Sequence, residues 1–490
     1  MQQLSGLDAS FLYMETGPNF GHVGMVALLD PSAAALPLTL ERVQALVQSR
    51  LHLLPPLRRR LVEVPFGIDR PYWADDPDFD LDFHVRELAL PSPGSDVQLA
   101  EQVARISGRP LDRSRPLWEL YLITGVEGGR AALLVKFHHA AIDGVGGAEL
   151  VSTLLDQTPD APQTTPPAPL RARPLPTELE MWWRGVAGVT LQPLRVAEFQ
   201  RRLLRTLPGS TRFLARTGST ALTRQLTRWA QGAPTTDGGV LGWPGLVAPP
   251  TPFNRAITPH RRWAFGSTSL EAVKDVKNAF GVTVNDVVMA ACAGALRRWL
   301  QDRGALPEQP LLAMVPISVR TQEQRGTFGN RVSGLIAALP TALPDPVDRL
   351  RAAHEAMRAA KEQHAAISAE TLQDVTQFAM PALATRATRV AAQLRLADRM
   401  TPPYNLVISN VPGPRTPLYF CGAELVGYHP VSVVTDGQGL NMTVQSYRDR
   451  LDLGLVSCRE LVPDLWGLLG HLTDAFDELH RAAQREAAAR

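Results

Sequence analysis

The feature of the sequence that most limits its possible fold is a dense run of prolines about one third of the way along the chain. Seven prolines fall between residues 159 and 176, among threonines and alanines. Such a segment lacks the apolar side chains and the backbone N–H groups that a packed core needs. We therefore predict an N-terminal domain over 1–157, a linker with Arg-rich amphipathic helices over 158–250, and a C-terminal domain over 251–490.

Strand and helix patterns alternate on both sides of this linker. The predicted strands cover 21–29, Leu117 to Thr124, the apolar run that begins at Ala131, Leu311 to Val319, Leu335 to Leu339, Asn405 to Asn410 and Leu451 to Val456. The predicted helices begin at Thr39 and Val97, cover Leu270 to Phe280, Thr283 to Arg303 and Pro346 to Gln363, and end with Pro463 to Arg485. This alternation predicts layered α/β domains.

Composition argues against several classes of protein. The three cysteines are far apart, so no disulfide framework is expected, and the first residues lack the basic and then apolar order of a secretory signal. No uncharged apolar run reaches the roughly 18 to 20 residues that span a bilayer. We expect a cytoplasmic protein whose membrane contacts are peripheral. No P-loop and no G-x-S-x-G serine elbow occurs.

The segment after the prolines is strongly basic. Between 181 and 230 there are nine arginines and one glutamate, although the whole chain has a net charge of only +2. Apolar residues recur there at helical spacing, so basic amphipathic helices could lie in a membrane interface. The alternative is that these helices pack on the protein and expose their arginines to water. Nucleic acid is not an expected partner, because no aromatic residues interleave the Arg58-Arg59-Arg60 run.

A candidate functional site follows the apolar run Ala131 to Val135, where the chain reads His138-His139 and then Asp143-Gly144. A buried strand that ends in imidazoles delivers a titratable group to the rim of a sheet, where ligands can reach it. Buried histidines are also common as structural residues. A metal site is less favoured, because zinc needs three or four ligands and no second cluster with ligand spacing is present.

These residues match the HHxxxDG signature of acyltransferases and condensation enzymes that share the chloramphenicol acetyltransferase-like fold. Further motifs follow in the expected order, and together the set resembles the bacterial wax ester synthase/acyl-CoA:diacylglycerol acyltransferase family from Leu4 nearly to the C-terminus. They are Pro116-Leu117-Trp118, Asn285-Asp286-Val287-Val288, 315–320, 329–333 and 409–414. The resemblance implies two α/β domains with mixed sheets and an active-site tunnel between them.

The resemblance also implies roles for single residues. His139 is expected to be the general base for direct attack by an alcohol, without an acyl-enzyme, and His138 to orient the motif or the substrate. Asp143 is expected to order the loop, and Gly144 to allow close backbone approach. Five further residues are expected to line the substrate site: Asn285, Asp286, Ser409, Asn410 and Gly413. For Asn285 and Asp286 the alternative is capping of the helix that begins beside them.

The predicted activity is transfer of a long acyl chain from acyl-CoA to diacylglycerol, with long-chain alcohols as a second class of acceptor. No cofactor or metal is expected, since acyl-CoA is a substrate. The expected partner surface is the inner face of the plasma membrane or a lipid droplet. Two alternatives remain open: a condensation-type acyltransferase that uses carrier-bound acyl donors, and a non-catalytic protein of lipid surfaces.

Overall fold

The computed structural model describes residues 1–142, 147, 150, 153–160, 174–188, 190, 247–318, 332–365 and 381–489. Asp143, Gly144, most of the proline-rich segment and most of the Arg-rich region lie outside the described residues.

The described elements of the N-terminal part, in chain order, are β1 Gln2–Gln3, α1 Gly6–Tyr13, β2 His22–Asp30, α2 Leu40–Arg50, β3 Arg59–Val62, β4 Tyr72–Asp75, α3 Leu81–His84, β5 Val85–Ala89, α4 Asp96–Ser107, β6 Trp118–Val126 and β7 Arg130–His138. Residues 178–188 are helical. Those of the C-terminal part are β8 Arg261–Ser269, α5 Leu270–Phe280, α6 Val284–Gln301, β9 Leu311–Ser318, β10 Val332–Leu339, α7 Pro346–Ala365, α8 Pro381–Gln393, β11 Leu406–Val411, β12 Tyr419–Phe420, β13 Ala423–Val431, β14 Leu440–Tyr447, β15 Arg450–Cys458 and α9 Leu465–Ala489.

Two mixed six-stranded sheets form the framework. The first has the order β12-β13-β2-β7-β6-β5, and the second has the order β10-β9-β11-β14-β15-β8. Most neighbours are antiparallel, but β5 runs parallel to β6, and β11 runs parallel to both β9 and β14. A small third sheet joins β1, β4 and β3. The predicted α/β layers are therefore present in both parts of the chain.

The strand β13 crosses from the C-terminal part of the chain into the first sheet. It pairs with β2 from Glu424 opposite Asp30 to Val431 opposite Gly24. The predicted boundary at residue 251 divides the chain by position, but it does not divide the sheets, because 419–431 completes the first sheet. The N-terminal domain therefore consists of two separate segments of the chain.

The two faces of the first sheet have different surroundings. One face, which includes Leu133 and Val135, packs with Val43 and Val47 of α2. The opposite face, which includes Leu134, packs against α4 and the aromatic residues of β8. The helix α6 packs with strands of the second sheet and is almost completely buried. The face of the first sheet that carries Leu134 is therefore the face directed toward the second sheet.

Side-chain caps begin most of the helices that the sequence predicts. Ser5, Thr39, Ser95, Ser269 and Thr283 each accept a hydrogen bond from a backbone N–H in the first turn of the following helix. No single helix among the described residues is long and apolar enough to cross a membrane, although the pair α5 and α6, bent by 103°, passes that test together by length and composition.

Candidate active site

The strand β7 carries the two histidines to the rim of the first sheet. His138 lies opposite His22 of β2, and its N–H donates to the Leu117 carbonyl at 2.9 Å. The His139 N–H donates to the Gly21 carbonyl at 2.7 Å, and a turn closed by the Ala141 N–H and the His138 carbonyl follows. Backbone hydrogen bonds to Leu117 and Gly21 therefore fix the main chain of both histidines.

The His138 ring is buried and held at both nitrogens. Its Nδ1 accepts the Ala140 N–H at 3.0 Å, so in the neutral ring the proton lies on Nε2. Nε2 is 3.1 Å from Oε1 of Glu15. A Cβ on Gly21 would lie 2.6 Å from Nε2, so only glycine leaves room for the ring at this orientation.

Glu15 connects His138 to the rest of the domain. Its carboxylate accepts the Gly21 N–H at 2.8 Å and two N–H groups of Arg113 at 2.7 and 3.2 Å. Arg113 is held in turn by the Leu12 carbonyl at 2.9 Å. Burial opposes ionisation of Glu15, but the contacts with His138, Gly21 and Arg113 outweigh it and lower the pKa of Glu15 to about 2. The carboxylate is therefore a permanent negative charge behind His138.

His139 is the more accessible of the two histidines. Its side chain is half-buried, whereas that of His138 is only 1% exposed. The His139 ring stacks on Phe11 of α1, with ring centroids 4.1 Å apart and planes inclined by 16°. This stacking fixes the plane of the imidazole, and the residue is partly exposed, unlike His138.

A narrow crevice lies between the two sheets, and His22, the sheet neighbour of His138, is part of its lining. The lining also includes Phe20, Lys136, Arg261, Val456 and residues 431–434. His22 Nε2 lies 2.7 Å from the Ser107 carbonyl, and burial keeps the pKa of His22 well below its ordinary value. His22 thus has the surroundings of a structural histidine.

Lys136 is a second buried polar residue of this crevice. Its ammonium donates to the Ile106 and Arg109 carbonyls at 3.1 and 2.6 Å, at the C-terminal end of α4, and lies 3.4 Å from Glu119. Burial lowers the pKa of Lys136 to about 8 despite the neighbouring carboxylate. The lysine ties β7 to α4 and fixes the floor of the crevice.

The predicted substrate residue Asp286 has a structural role. It forms a capping box with Thr283 at the start of α6, and its Oδ2 accepts the Thr283 N–H at 2.9 Å. The same oxygen lies 2.8 Å from His354 Nδ1, and the side chain is 1% exposed. The capping alternative therefore accounts for the observed contacts of Asp286, whose carboxylate is buried and already paired, and its contact with substrate stays a prediction. Asn285 is half-buried in the first turn of the same helix.

The other predicted substrate residues lie at the end of β11. Ser409 and Asn410 pair with Thr443 and Val444 of β14, and both side chains are half-buried. Gly413 donates its N–H to Ser446 Oγ at 3.0 Å, and a Cβ there would lie 2.0 Å from the Ser446 carbonyl oxygen. These residues belong to the second sheet, and the described contacts of His138 do not include them. Their contact with substrate stays a prediction.

Among the described residues, no group of three or more His, Cys, Asp or Glu side chains is arranged to hold a metal ion. The three cysteines are buried and free, as the sequence indicated.

Comparison with known proteins defines the class first. The fold matches the starter condensation domain of rhizomide synthetase RzmA, with a TM-score of 0.52, 14% identity, and coverage of 99% of this chain and 94% of that chain. This match shows the fold alone, and it confirms the predicted two-domain, chloramphenicol acetyltransferase-like architecture.

The family follows from closer matches. The wax ester synthase/diacylglycerol acyltransferase catalytic domain matches residues 4–288, and the C-terminal domain of the same family matches residues 328–480. A provisionally named diacylglycerol O-acyltransferase of Mycobacterium tuberculosis (strain CDC 1551 / Oshkosh) is 38% identical, over 98% of this chain and 90% of its own length. The wax ester synthase/diacylglycerol acyltransferase of Marinobacter aquaeolei VT8 is 30% identical, with a TM-score of 0.67 and coverage of 99% and 100%. The chain belongs to the wax ester synthase/diacylglycerol acyltransferase family.

Four residues of the site were not predicted from the sequence: Phe11, Glu15, Gly21 and Arg113. Glu15 and Arg113 are 98 residues apart, and neither belongs to a periodic pattern or to the motif that contains the histidines. A single sequence carries no signal for such a pair. Gly21 begins a predicted strand and Phe11 lies before it, but nothing in either segment indicates contact with residues 138 and 139.

Proposed function

We propose that the protein transfers a long acyl chain from acyl-CoA to diacylglycerol, with long-chain alcohols as a second class of acceptor. Membership of the family supports the acyl transfer. The observation that carries the proposed mechanism is the half-buried His139 ring, stacked on Phe11 beside a histidine that is fully buried and anchored. Only His139 of this pair has the accessibility that a general base requires.

In the proposed reaction, His139 accepts the hydroxyl proton of the acceptor as its oxygen attacks the thioester carbonyl. The carbon–sulfur bond breaks, and the thiolate of CoA takes the proton from the imidazolium. An ester and free CoA are the products, and no acyl-enzyme forms. Imidazole suits both transfers because its proton affinity lies near the operating pH.

His138 acts in this proposal as a positioning residue. Its ring is held between Ala140 and Glu15, and Arg113 holds Glu15. Because His139 follows directly in the chain, this network restricts the direction in which the base can point. A displacement of about 1 Å at a catalytic group can cost about 10²-fold in rate, so this restriction matters for turnover.

The mechanism is tested by replacing the base. His139→Ala is expected to lose roughly 10²-fold or more in kcat with labelled palmitoyl-CoA and either diacylglycerol or hexadecanol. His471→Ala, on α9 and remote from β7, serves as the matched histidine control and should retain turnover. Comparable activity of His139→Ala and wild type would refute the base. Product from neither acceptor with the wild-type enzyme would favour carrier-bound acyl donors.

We further propose that the enzyme works in the cytoplasm and docks peripherally on membrane or lipid-droplet surfaces. The helix at 178–188, where the Arg-rich region begins, supports this. Met181 is buried against the protein, whereas Leu179 and Trp183 are 65% and 60% exposed. Phe66, 84% exposed, lies on the segment that packs against Gly185 of this helix. Exposed aromatic and aliphatic side chains beside arginines suit a lipid interface.

Docking is tested by flotation with vesicles that contain anionic lipid. The variant Leu179→Ser/Trp183→Ser is expected to bind roughly tenfold more weakly, since burial of each side chain in the interface contributes free energy. Leu36→Ser, an exposed leucine in the loop before α2, is the control. Equal flotation of the double variant and the wild type would remove this helix from the docking surface.

A further inference from the structure

A basic groove lies on the side of the molecule where α4 meets the beginnings of β8 and α9. Its volume is about 450 Å³, and it is formed by residues of both halves of the chain. Five arginines line it: Arg105, Arg109, Arg261, Arg262 and Arg459. Glu101 is the one acidic residue in the lining. A concave surface with this excess of guanidinium groups attracts a polyanion.

Three of these arginines already have partners. Arg105 lies 3.9 Å from Glu101, the acidic residue of the lining. Arg261 donates to the carbonyls of Thr258 and Pro18, and these bonds tie β8 to the N-terminal segment. Arg459 lies 3.1 Å from Glu460, which also binds His260 at 2.8 Å. These contacts make the wall of the groove rigid. Arg109 and Arg262 then remain to bind a ligand.

Arg109 and Arg262 carry the charge that is free for a ligand. Among the described residues, no hydrogen bond or ion pair engages either guanidinium group. Nε of Arg262 is buried without a partner, although the residue as a whole is half-buried. A buried donor without an acceptor costs free energy, and an anion in the groove would remove this cost. Arg109 is exposed at the rim.

An aromatic surface adjoins these cations. Trp466 is half-buried in the lining, and its ring meets Phe265 at 5.8 Å in an edge arrangement that fixes its orientation. A flat apolar ring beside arginines suits a ligand that combines phosphate groups with a planar base. The groove therefore fits a nucleotide better than a simple anion.

The groove lies beside the crevice between the two sheets. Arg261 lines both the groove and the crevice between the sheets, and the segment from Ser107 to Arg109 separates the two. Lys136 and His22 lie on the crevice side of this segment. His22 is opposite His138 in the sheet. The groove therefore lies next to a crevice whose residue His22 is the sheet neighbour of His138.

We propose that this groove binds the phosphorylated nucleotide portion of the acyl donor, with Arg109 and Arg262 contacting its phosphates and Trp466 packing on the base. The inference rests on the proposed function for the identity of the donor. Arginine suits this task because its planar guanidinium group binds phosphate oxygens in a bidentate manner.

Direct binding tests the groove independently of turnover. Titration calorimetry of the full chain with adenosine 3′,5′-bisphosphate is expected to show binding that Arg109→Gln/Arg262→Gln weakens by roughly 10- to 100-fold, as expected for lost charged hydrogen bonds. The affinity of the wild type should fall as salt rises, and that of the variant should fall less. Arg351→Gln/Arg358→Gln, two exposed arginines of α7, is the control with matched charge.

Kinetics with two donors complete the test. For palmitoyl-CoA, the Arg109→Gln/Arg262→Gln variant is expected to raise KM by roughly 10- to 100-fold at nearly constant kcat. For palmitoyl-pantetheine, which lacks the nucleotide, the KM of variant and wild type should be equal. Equal KM values for palmitoyl-CoA in an active variant would overturn the proposal. Weakened flotation on anionic vesicles without any nucleotide binding would also overturn it, in favour of a lipid headgroup.

These measurements distinguish failure of the proposed nucleotide site from failure of the proposed acyl transfer. Nucleotide binding that depends on Arg109 and Arg262, in a protein that forms no ester, would keep the groove and reject the proposed function. Ester formation from palmitoyl-CoA without nucleotide binding at the groove would do the opposite.

Discussion

The two adjacent histidines differ in what holds them, and this difference divides their roles. His138 is enclosed by Glu15, Ala140 and Gly21, so its ring has little freedom to move. His139 has an aromatic ring on one side and remains half-buried. Because His138 is held rigidly and directly precedes His139, it positions the His139 ring without enclosing it.

Gly21 is expected to be essential for this placement. In Gly21→Ala the new methyl group would meet His138 Nε2 at 2.6 Å and the Phe11 carbonyl oxygen at 3.1 Å, so the ring must move. We expect kcat to fall roughly tenfold or more while the circular dichroism spectrum is retained. Gly17→Ala is the matched control, because a Cβ there meets nothing within 4 Å. Equal turnover of both variants would show that the position of His138 does not matter.

Glu15 should contribute to stability in a manner that depends on pH. Its pKa in the folded protein is about 2, below the ordinary value of 4.5, so the contribution is complete above pH 4.5 and is lost as the pH falls toward 2. Glu15→Gln is expected to lower the free energy of unfolding by roughly 2 kcal/mol at pH 7. Urea denaturation at pH 7, 5 and 3.5 measures the difference, which should be smallest at pH 3.5. A difference that grows on acidification would contradict this assignment.

For single residues, the sequence points to the histidine pair but not to the residues that hold His138 in place. The histidine pair is recognisable because it ends an apolar strand and belongs to a known motif. Glu15 and Arg113 are ordinary charged residues in their own segments, and only the fold brings them together. Long-range ion pairs of this kind leave no periodicity or spacing in one sequence.

Among the elements, α6 shows how local and tertiary contacts share one side chain. Asp286 caps the helix and also binds His354 of α7. We expect Asp286→Ala to destabilise the protein by roughly 1 to 3 kcal/mol, through loss of the cap and of this contact. Thermal unfolding measures the loss, and KM for both substrates, assayed well below the transition, should be unchanged.

Asn285→Ala is the neighbouring control for this prediction and should change stability by less than about 0.5 kcal/mol. A stable Asp286→Ala variant with a raised KM for the acceptor would instead support the predicted role of Asp286 in substrate binding.

Element prediction succeeded where periodicity was clear, and several strands were missed, among them β13 and β14. Residues 270–280 form the helix that the sequence predicts, and β9, β11 and β15 agree with their predictions within a few residues. The strand β13 was missed because Gly427 and Pro430 interrupt its pattern. The ladder has an irregularity next to Gly427, and β13 still pairs with β2 across this point because tertiary packing outweighs local preference.

For the whole molecule, β13 joins the two sheets into one structure. The Tyr428 N–H donates to buried Asp452 of β15 at 2.8 Å, and Trp263 of β8 donates to the Pro430 carbonyl at 3.0 Å. A Cβ on Gly454 would lie 2.0 Å from that same carbonyl oxygen. Loss of β13 from the first sheet would therefore also expose apolar surface of the second sheet.

This connection predicts that the two halves unfold together. Scanning calorimetry of the full chain should show one cooperative transition, and a fragment of residues 1–157 should be insoluble or unfolded because its β2 edge is unpaired. Two separated transitions, or a folded fragment with dispersed NMR resonances, would contradict this prediction.

The position of β13 in the chain also sets a condition on biosynthesis. The strand β2 leaves the ribosome early, yet its partner follows roughly 400 residues later, on the order of 20 to 80 seconds at usual translation speeds. During this interval the nascent chain presents an apolar strand with an open edge, which can pair with other nascent chains. We therefore expect this edge to favour aggregation until residues 423–431 emerge, and co-expression of a chaperone that covers open strand edges to raise the yield of active protein.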